Sequence, residues 1–356
     1  MKKSFKQVDV LLIIAAVILA VGYYGAASTA TRTRDKWYEE KLKASQLMSE
    51  AMNAIRDEKA QRGLPVYLKD DINKTGLIGS EWSPITTTLG SLESKRTSVN
   101  PDFAAVVVDM LKEIGMEEGD FIAVNLSGSF PALNTAVASS MEVMGLDAAV
   151  ITSAGASSWG ANDPEFTCID MEQALYEAGI FKYKSAAVSL GGIDDIGEDM
   201  DEEISKTLLE RFGKQGRRVI YQQDFTMNVQ QRLEIYEEKG KPIKCFINVG
   251  GNLLSSGGSE DFTRLRTGII KNGEYSAIQK EKGLIQVFMD RGIPVINLLN
   301  IKGLAAEYGV PIDPYPLPEA GTGDIFHEKQ YPYSVIALCL GLALSMLVIY
   351  GRRARR

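Results

Sequence analysis

The residues of this sequence best suited to chemistry are serines, asparagines and glycines gathered in four short loops, at residues 125–130, 153–162, 191–195 and 248–258. A serine hydroxyl attacks a carbonyl carbon only when a base takes its proton. Ser129, in the run Ser127-Gly128-Ser129-Phe130-Pro131, is the best-placed nucleophile. The chain's one histidine, His327, stands beyond a proline-rich stretch and just before a long apolar segment, so a Ser-His-Asp triad is not expected. A Ser-Lys pair would have to use Lys95, which with Arg96 forms the one adjacent pair of cations in its neighbourhood and reads equally well as part of a solvated turn. Asp170 and Glu172, close behind the second loop, are the acids expected to work with Ser129 as catalytic residues. Asp194 and Asp195 form a second acidic pair, and either pair also fits a helix cap or a solvated surface.

For ligand binding the candidates are Asn125, Ser127, Asn134, Ser153, Ser157, Asn162, Asn248, Gly250, Gly251 and Asn252. Small side chains leave backbone N–H groups open, and a helix starting at Pro131 adds its positive end, so a carboxylate or phosphate is the ligand such loops would hold. The sequence has no GK[ST] and no G-x-G-x-x-G after a strand-like run, which removes the two common nucleotide cradles. No metal site is expected, and the cofactor, if there is one, stays open.

These loops need a scaffold that brings them to one edge. Residues 121–126 and 148–152 are apolar runs separated by a helix-length segment, the pattern of a βαβ unit. Strand-like runs at 185–190, 218–221, 243–249 and 293–298 alternate with helix-like runs at 170–178, 201–212, 227–239 and 280–291. About six strands with helices between them imply an α/β fold, three-layer and Rossmann-like with a mostly parallel sheet. In such sheets ligands bind outside the carboxyl ends of the strands, where all four loops fall. Asn100 and Pro101 open another helix, as cap and first helical residue.

Residues 35–62 read as an amphipathic helix, either a stalk or a helix packed on the domain, and 66–99 as an ordered loop region. Residues 10–24 and 333–350 are long, uncharged and apolar, of a length to span or nearly span a bilayer. For the first, a cleavable signal peptide with small residues at Ser28 and Ala30 is the alternative. Lysines precede the first segment and arginines follow the second, which puts both termini in the cytoplasm and the domain outside the membrane. The implied order is a tail (1–9), a membrane helix (10–27), a helix or stalk (28–65), the α/β domain (66–318), a linker stiffened by prolines (319–332), a second membrane helix (333–350) and a basic tail (351–356).

Between the tails stand 32 of the 39 basic and 45 of the 46 acidic residues, a net charge of −13. That balance excludes nucleic acid as a partner and gives no general attraction for polyanions. Of three cysteines, Cys339 falls in the second apolar segment; Cys168 and Cys245 read as buried thiols, with a disulfide between them as the alternative.

The stretches SPITTTLGSLESKRTSVNP (83–101), SGSFPALN (127–134), SAGASSWGAN (153–162), DME (170–172) and NVGG (248–251) together resemble the poly-γ-glutamate system protein family, over roughly residues 80–318. The resemblance implies a cell-membrane protein serving synthesis or export of poly-γ-glutamate, a capsule polymer. Its expected partners are the polymer or a glutamyl ligand, the membrane subunits of the synthase, and the lipid bilayer. It names a process and carries over no catalytic residue. Two functions follow: an accessory component that binds glutamyl carboxylates in its loops, or a hydrolase or transferase acting on the γ-linked polymer.

Overall fold

The computed structural model describes residues 2–257, 266–271 and 281–354. Gly258, Lys280, Arg355 and Arg356, which enter the expectations above, lie outside them. The chain divides into two compact units: Met1–Lys36 with His327–Arg356, and Trp37–Phe326.

The first unit opens with α1 (Lys2–Ser28) and β1 (Thr31–Arg34). The second begins with α2 (Tyr38–Gln61), β2 (Thr86–Thr88), α3 (Leu92–Ser98) and α4 (Asp102–Glu113). It continues through β3 (Phe121–Ser127), α5 (Pro131–Met144), β4 (Asp147–Ser153), β5 (Ala156–Ser157), α6 (Cys168–Glu177) and β6 (Ala187–Ser189). Then come α7 (Glu202–Lys214), β7 (Val219–Ile220), α8 (Phe225–Glu237), β8 (Ile243–Val249), α9 (Leu253–Ser256) and β9 (Gly268–Ile270). The unit closes with α10 (Leu284–Asp290), β10 (Val295–Leu298) and α11 (Ile301–Glu307). Back in the first unit, β11 (His327–Gln330) pairs antiparallel with β1, and α12 (Tyr333–Ala354) packs along α1.

Within that first unit, Val10–Ser28 and Tyr333–Arg352 are long and apolar enough to cross a membrane. They meet at Gly22, where an added Cβ would stand 2.7 Å from Cys339 Sγ, so only glycine permits this approach.

In the second unit seven strands form one sheet in the order β7-β6-β4-β3-β8-β10-β9. All neighbours are parallel except β9, an antiparallel edge strand that the apolar pattern did not predict. The chain winds outward from β3 through β4, β6 and β7, then returns to β3's other side with β8, so the strand order reverses between β3 and β8. Connections leave those two strands in opposite directions and open a crevice above their carboxyl ends.

Alternate residues serve opposite faces, as the two-residue period of a strand requires. Ile122, Val124 and Leu126 of β3 join an apolar cluster with α2, α4, α5 and α6. Phe121 and Ala123 join another with α8 and α10. With both faces covered, a parallel strand reads as the unbroken apolar run seen in the sequence.

Residues 35–62 are not a stalk. α2 buries Ala44, Met48, Ala51, Met52 and Ile55, one stripe of a 3.6-residue helix, in the first of these clusters. Lys41 on the same helix pairs with Asp109 at 2.6 Å. The proline-rich stretch is likewise held to the unit rather than running free: Asn73 Nδ2 donates to Pro314 O at 2.9 Å, and Arg96 pairs with Asp313 at 2.7 Å. The expected loop region 66–99 contains β2 and α3, elements too short for a periodic signal. Cys168 and Cys245 are free, buried thiols.

Asp102, in the first turn of α4, is 1% exposed and neither carboxyl oxygen has a hydrogen-bond partner. Burial pushes its pKa up to about 7 from 3.8. The folded state then binds the proton more tightly, so this group's contribution is greatest below pH 4 and is lost as pH rises through 7. Asp102→Asn should raise stability at pH 8 by about 2 kcal/mol, with the gain vanishing towards pH 4, read as the urea midpoint at several pH values. Met48→Ala should cost about 2–4 kcal/mol in the same measurement and the exposed Glu50→Ala almost nothing; equal, negligible effects would mean that α2 stands away from the core.

Candidate functional site

The reversal point holds a cleft of about 500 Å³. Its walls come from the ends of β3, β4, β6, β8 and β10 and from the segment spanning β2 and α3. Of the residues singled out from sequence, Ser127, Ser129, Ser153, Ser157, Gly251 and Asn252 line it. Gly250, at φ +89°, brings the β8 loop against Ser127: a Cβ there would lie 3.2 Å from the Ser127 Cβ. Added to these are residues not chosen from sequence: Thr87, Thr88, Leu89, Gly90, Phe130, Gly192, Ile193, Asp199, Leu253 and Leu299.

Lys95 is the cleft's lysine, and it is not in a solvated turn. It sits on α3, a seven-residue helix capped by the Ser91 hydroxyl, and is 1% exposed. β2 pairs in parallel with β5, which brings α3's segment beside Ser157. Lys95 Nζ lies 2.7 Å from Ser157 Oγ and donates to the Ser129 carbonyl. The Phe130 ring centre is 3.9 Å from the same nitrogen. An aromatic face there favours the ammonium form, but burial acts the other way and lowers the pKa to about 7. The Ser157 N–H donates to Ser129 Oγ at 3.0 Å, and the Ser129 N–H to Ser127 Oγ at 3.2 Å. The three serines thus form one chain of contacts ending at Lys95. Asp199, across the cleft, has its carboxyl pKa raised by burial, while the Ile193 N–H, donating at 3.1 Å, works against that rise.

Asn125 and Asn248 do not face the cleft as ligand donors. They stand in register on β3 and β8, with Asn297 beside them on β10. Asn125 Nδ2 donates to Asn248 Oδ1 at 3.0 Å, Asn248 Nδ2 to Asn297 Oδ1 at 2.9 Å, and Asn297 Nδ2 to Arg266 O at 3.1 Å. Arg232 of α8, wholly buried, starts this row by donating to Asn125 Oδ1 at 2.9 Å. It also pairs with buried Asp195 at 2.5 Å and bonds Ser189 Oγ at 3.0 Å. Burial opposes the guanidinium charge, yet Asp195 and Tyr236 hold its pKa above the usual value. Asn252 Nδ2 reaches Asp195 Oδ1 at 3.4 Å, which links this network to the cleft floor.

Asn134 turns back to the Ser127 carbonyl at 2.9 Å. Asn162 clamps Ser80 through its N–H and carbonyl and donates to Thr86 Oγ1 at 3.0 Å, which fastens β2's approach to the second loop. Asp170 and Glu172 do not meet Ser129 as catalytic acids. Asp170 closes a capping box with Thr167 and pairs with Arg211 at 2.9 Å. Glu172 accepts from the Ser185 N–H and hydroxyl and from Arg217. Asp170 is consumed in capping α6, because a carboxylate in a helix's first turn satisfies N–H groups that nothing else reaches, and Glu172 in tying α6 to Ser185 and Arg217. Of the acidic pair at 194–195, Asp195 is the partner of Arg232. Among the described residues no group of three metal-ligating side chains converges.

No family model, curated protein or solved structure matches this chain. Breaking the buried pair should therefore be informative in its own right. Asp195→Asn leaves the Arg232 charge without its counter-ion and should cost about 3–5 kcal/mol in denaturant unfolding, whereas Asp170→Asn, which keeps an acceptor for Thr167 at a less buried pair, should cost less.

Proposed function

We propose that this chain is a membrane-anchored component of the poly-γ-glutamate system, and that its α/β unit, three-layered and Rossmann-like in class, receives a γ-glutamyl segment in the cleft at the strand-order reversal. The lining of that cleft is the observation that supports this. A γ-linked chain alternates amides and carboxylates, which need donors, with pairs of methylenes, which need apolar surface. The cleft offers serine and threonine hydroxyls beside Leu89, Phe130, Ile193, Leu253 and Leu299.

Its local charge answers the objection raised by the −13 of the intervening chain. The positive end of α5, a 14-residue helix starting at Pro131, is a source of positive potential beside Ser129, and Lys95 adds to it in its protonated form. The lysines at the start of α1 and the arginines at the end of α12 support a topology with both termini in the cytoplasm and the α/β unit outside. In that arrangement α1 and α12 are the surfaces available to the synthase's membrane subunits.

Titrating poly-γ-glutamate into the detergent-solubilised full chain tests the proposal by isothermal calorimetry. Ile193→Glu adds a negative charge at the cleft rim and should weaken binding about tenfold. Asp199→Asn removes one and should strengthen it several-fold at pH 8. Affinity unchanged in both variants would place the polymer elsewhere.

A further inference from the structure

We propose that Ser157 and Lys95 form a serine–lysine nucleophilic centre, in which Ser157 Oγ attacks the carbonyl carbon of an amide or ester held in the cleft and Lys95 takes its proton. The choice of a γ-glutamyl amide as that acyl donor rests on the function proposed above; the choice of nucleophile and base does not.

The surroundings of Lys95 Nζ accept an amine as readily as an ammonium, and no carboxylate stands there to hold the charge. An ammonium presents three hydrogens and requires acceptors or a counter-ion. The buried Lys41 has Asp109 at 2.6 Å, but among the described residues no carboxylate pairs with Lys95. Around its nitrogen stand the Ser129 carbonyl, the Phe130 ring face at 3.9 Å and Ser157 Oγ at 2.7 Å. An uncharged amine fills these three places completely, with one hydrogen to the carbonyl, one to the ring face and its lone pair to the serine O–H. The pKa of about 7 agrees with this assignment, since it leaves a large fraction of unprotonated base at neutral pH.

Ser157 is also the serine that geometry selects over Ser129. Lys95 meets Ser129 only at its backbone carbonyl, and Ser129 Oγ is occupied as acceptor of the Ser157 N–H at 3.0 Å. Ser129 is thus a positioning residue for the pair. Gly90 keeps the approach open: a Cβ there would stand 3.4 Å from both Ser157 Oγ and Lys95 Cε and 2.6 Å from the Ser158 carbonyl.

In the first step the Ser157 O–H proton passes to Lys95 Nζ as Oγ bonds to the carbonyl carbon. The carbon–nitrogen bond of the amide then breaks, and the departing amine takes the proton from Lys95. An ester on Ser157 remains. A water gives a proton to Lys95 and attacks the ester carbon, Ser157 Oγ leaves with that proton, and a carboxylic acid is released. An amine in place of the water would regenerate an amide, so the same centre serves hydrolysis or transfer.

The test uses the full chain in detergent and a fluorophosphonate probe, with the adduct located by peptide mass spectrometry between pH 5.5 and 9. The adduct should form on Ser157, at a rate rising about tenfold per pH unit below 7 and levelling above it. Ser157→Ala should abolish it. Lys95→Arg, which keeps a cation but cannot serve as base, should slow it by about 100-fold or more. Should that variant fail to fold, the wild-type pH profile decides. No adduct on the folded chain, an adduct on Ser129 instead, or a rate without an inflection near 7 overturns the proposal. Polymer binding measured on the same samples separates the two readings: binding without labelling removes the nucleophile and leaves the function above, and labelling without binding removes the γ-glutamyl donor and leaves the nucleophile.

Discussion

A guanidinium with no access to water holds the floor of the cleft together. Transferring the Arg232 charge out of water is costly, and only the Asp195 carboxylate at 2.5 Å and the surrounding oxygens make it tolerable. The ring of partners decides what else this part of the molecule can be. Asn125, Ser189 and Asp195 are fixed in place because the arginine needs them, and they belong to β3, to β6 and to the turn after β6. From Asn125 the polarity runs in one direction across β8 and β10, each asparagine accepting from one neighbour and donating to the next. Such a row gains from mutual polarisation inside a low-dielectric interior, and it locks the strand register at the point where the loops depart.

The cleft above depends on that floor but has a different character. Its polar groups are mostly hydroxyls, which can donate or accept, with Lys95 and Asp199 as ionisable side chains among them. Lys95 reaches it from outside the main sheet, carried in by the small parallel pairing of β2 with β5. Asn162 and Thr86 fasten the same segment. A side chain brought to a site by a three-residue strand and a seven-residue helix depends on such clamps, since neither element has enough apolar surface to fix itself.

The main strands were legible because their burial on both faces leaves uninterrupted apolar runs, and β8 begins and ends where the apolar pattern does. The cleft serines were legible for a related reason: small polar residues straight after such runs gather at one edge of any parallel sheet. α3 and β9 were not, since seven and three residues give no period to detect. The row of Asn125 and Asn248 was not legible, because a polar residue near a strand end looks the same whether it faces a ligand or another asparagine; the matching position of Asn297 in the run VINL was the available sign. Asp170 carried its own signal in the spacing Thr167-x-x-Asp170, a capping box. The burial of Lys95 had no local signature, as it arises from contacts with residues 34 and 62 positions away.

The pairing of the chain's two ends also sets the order in which the molecule can be completed. β1 and β11 join residues 295 positions apart, and α1 packs on α12, whereas Trp37–Phe326 is one uninterrupted stretch of chain. During synthesis the segment holding α1 and β1 emerges before the α/β unit, and its partners β11 and α12 emerge after it. The α/β unit between them can collapse on its own contacts in that interval. Assembly is therefore nested in time: α1 and β1 find their place only after the α/β unit has been made, and a chain halted just before β11 would present a finished middle beside an apolar helix still awaiting α12.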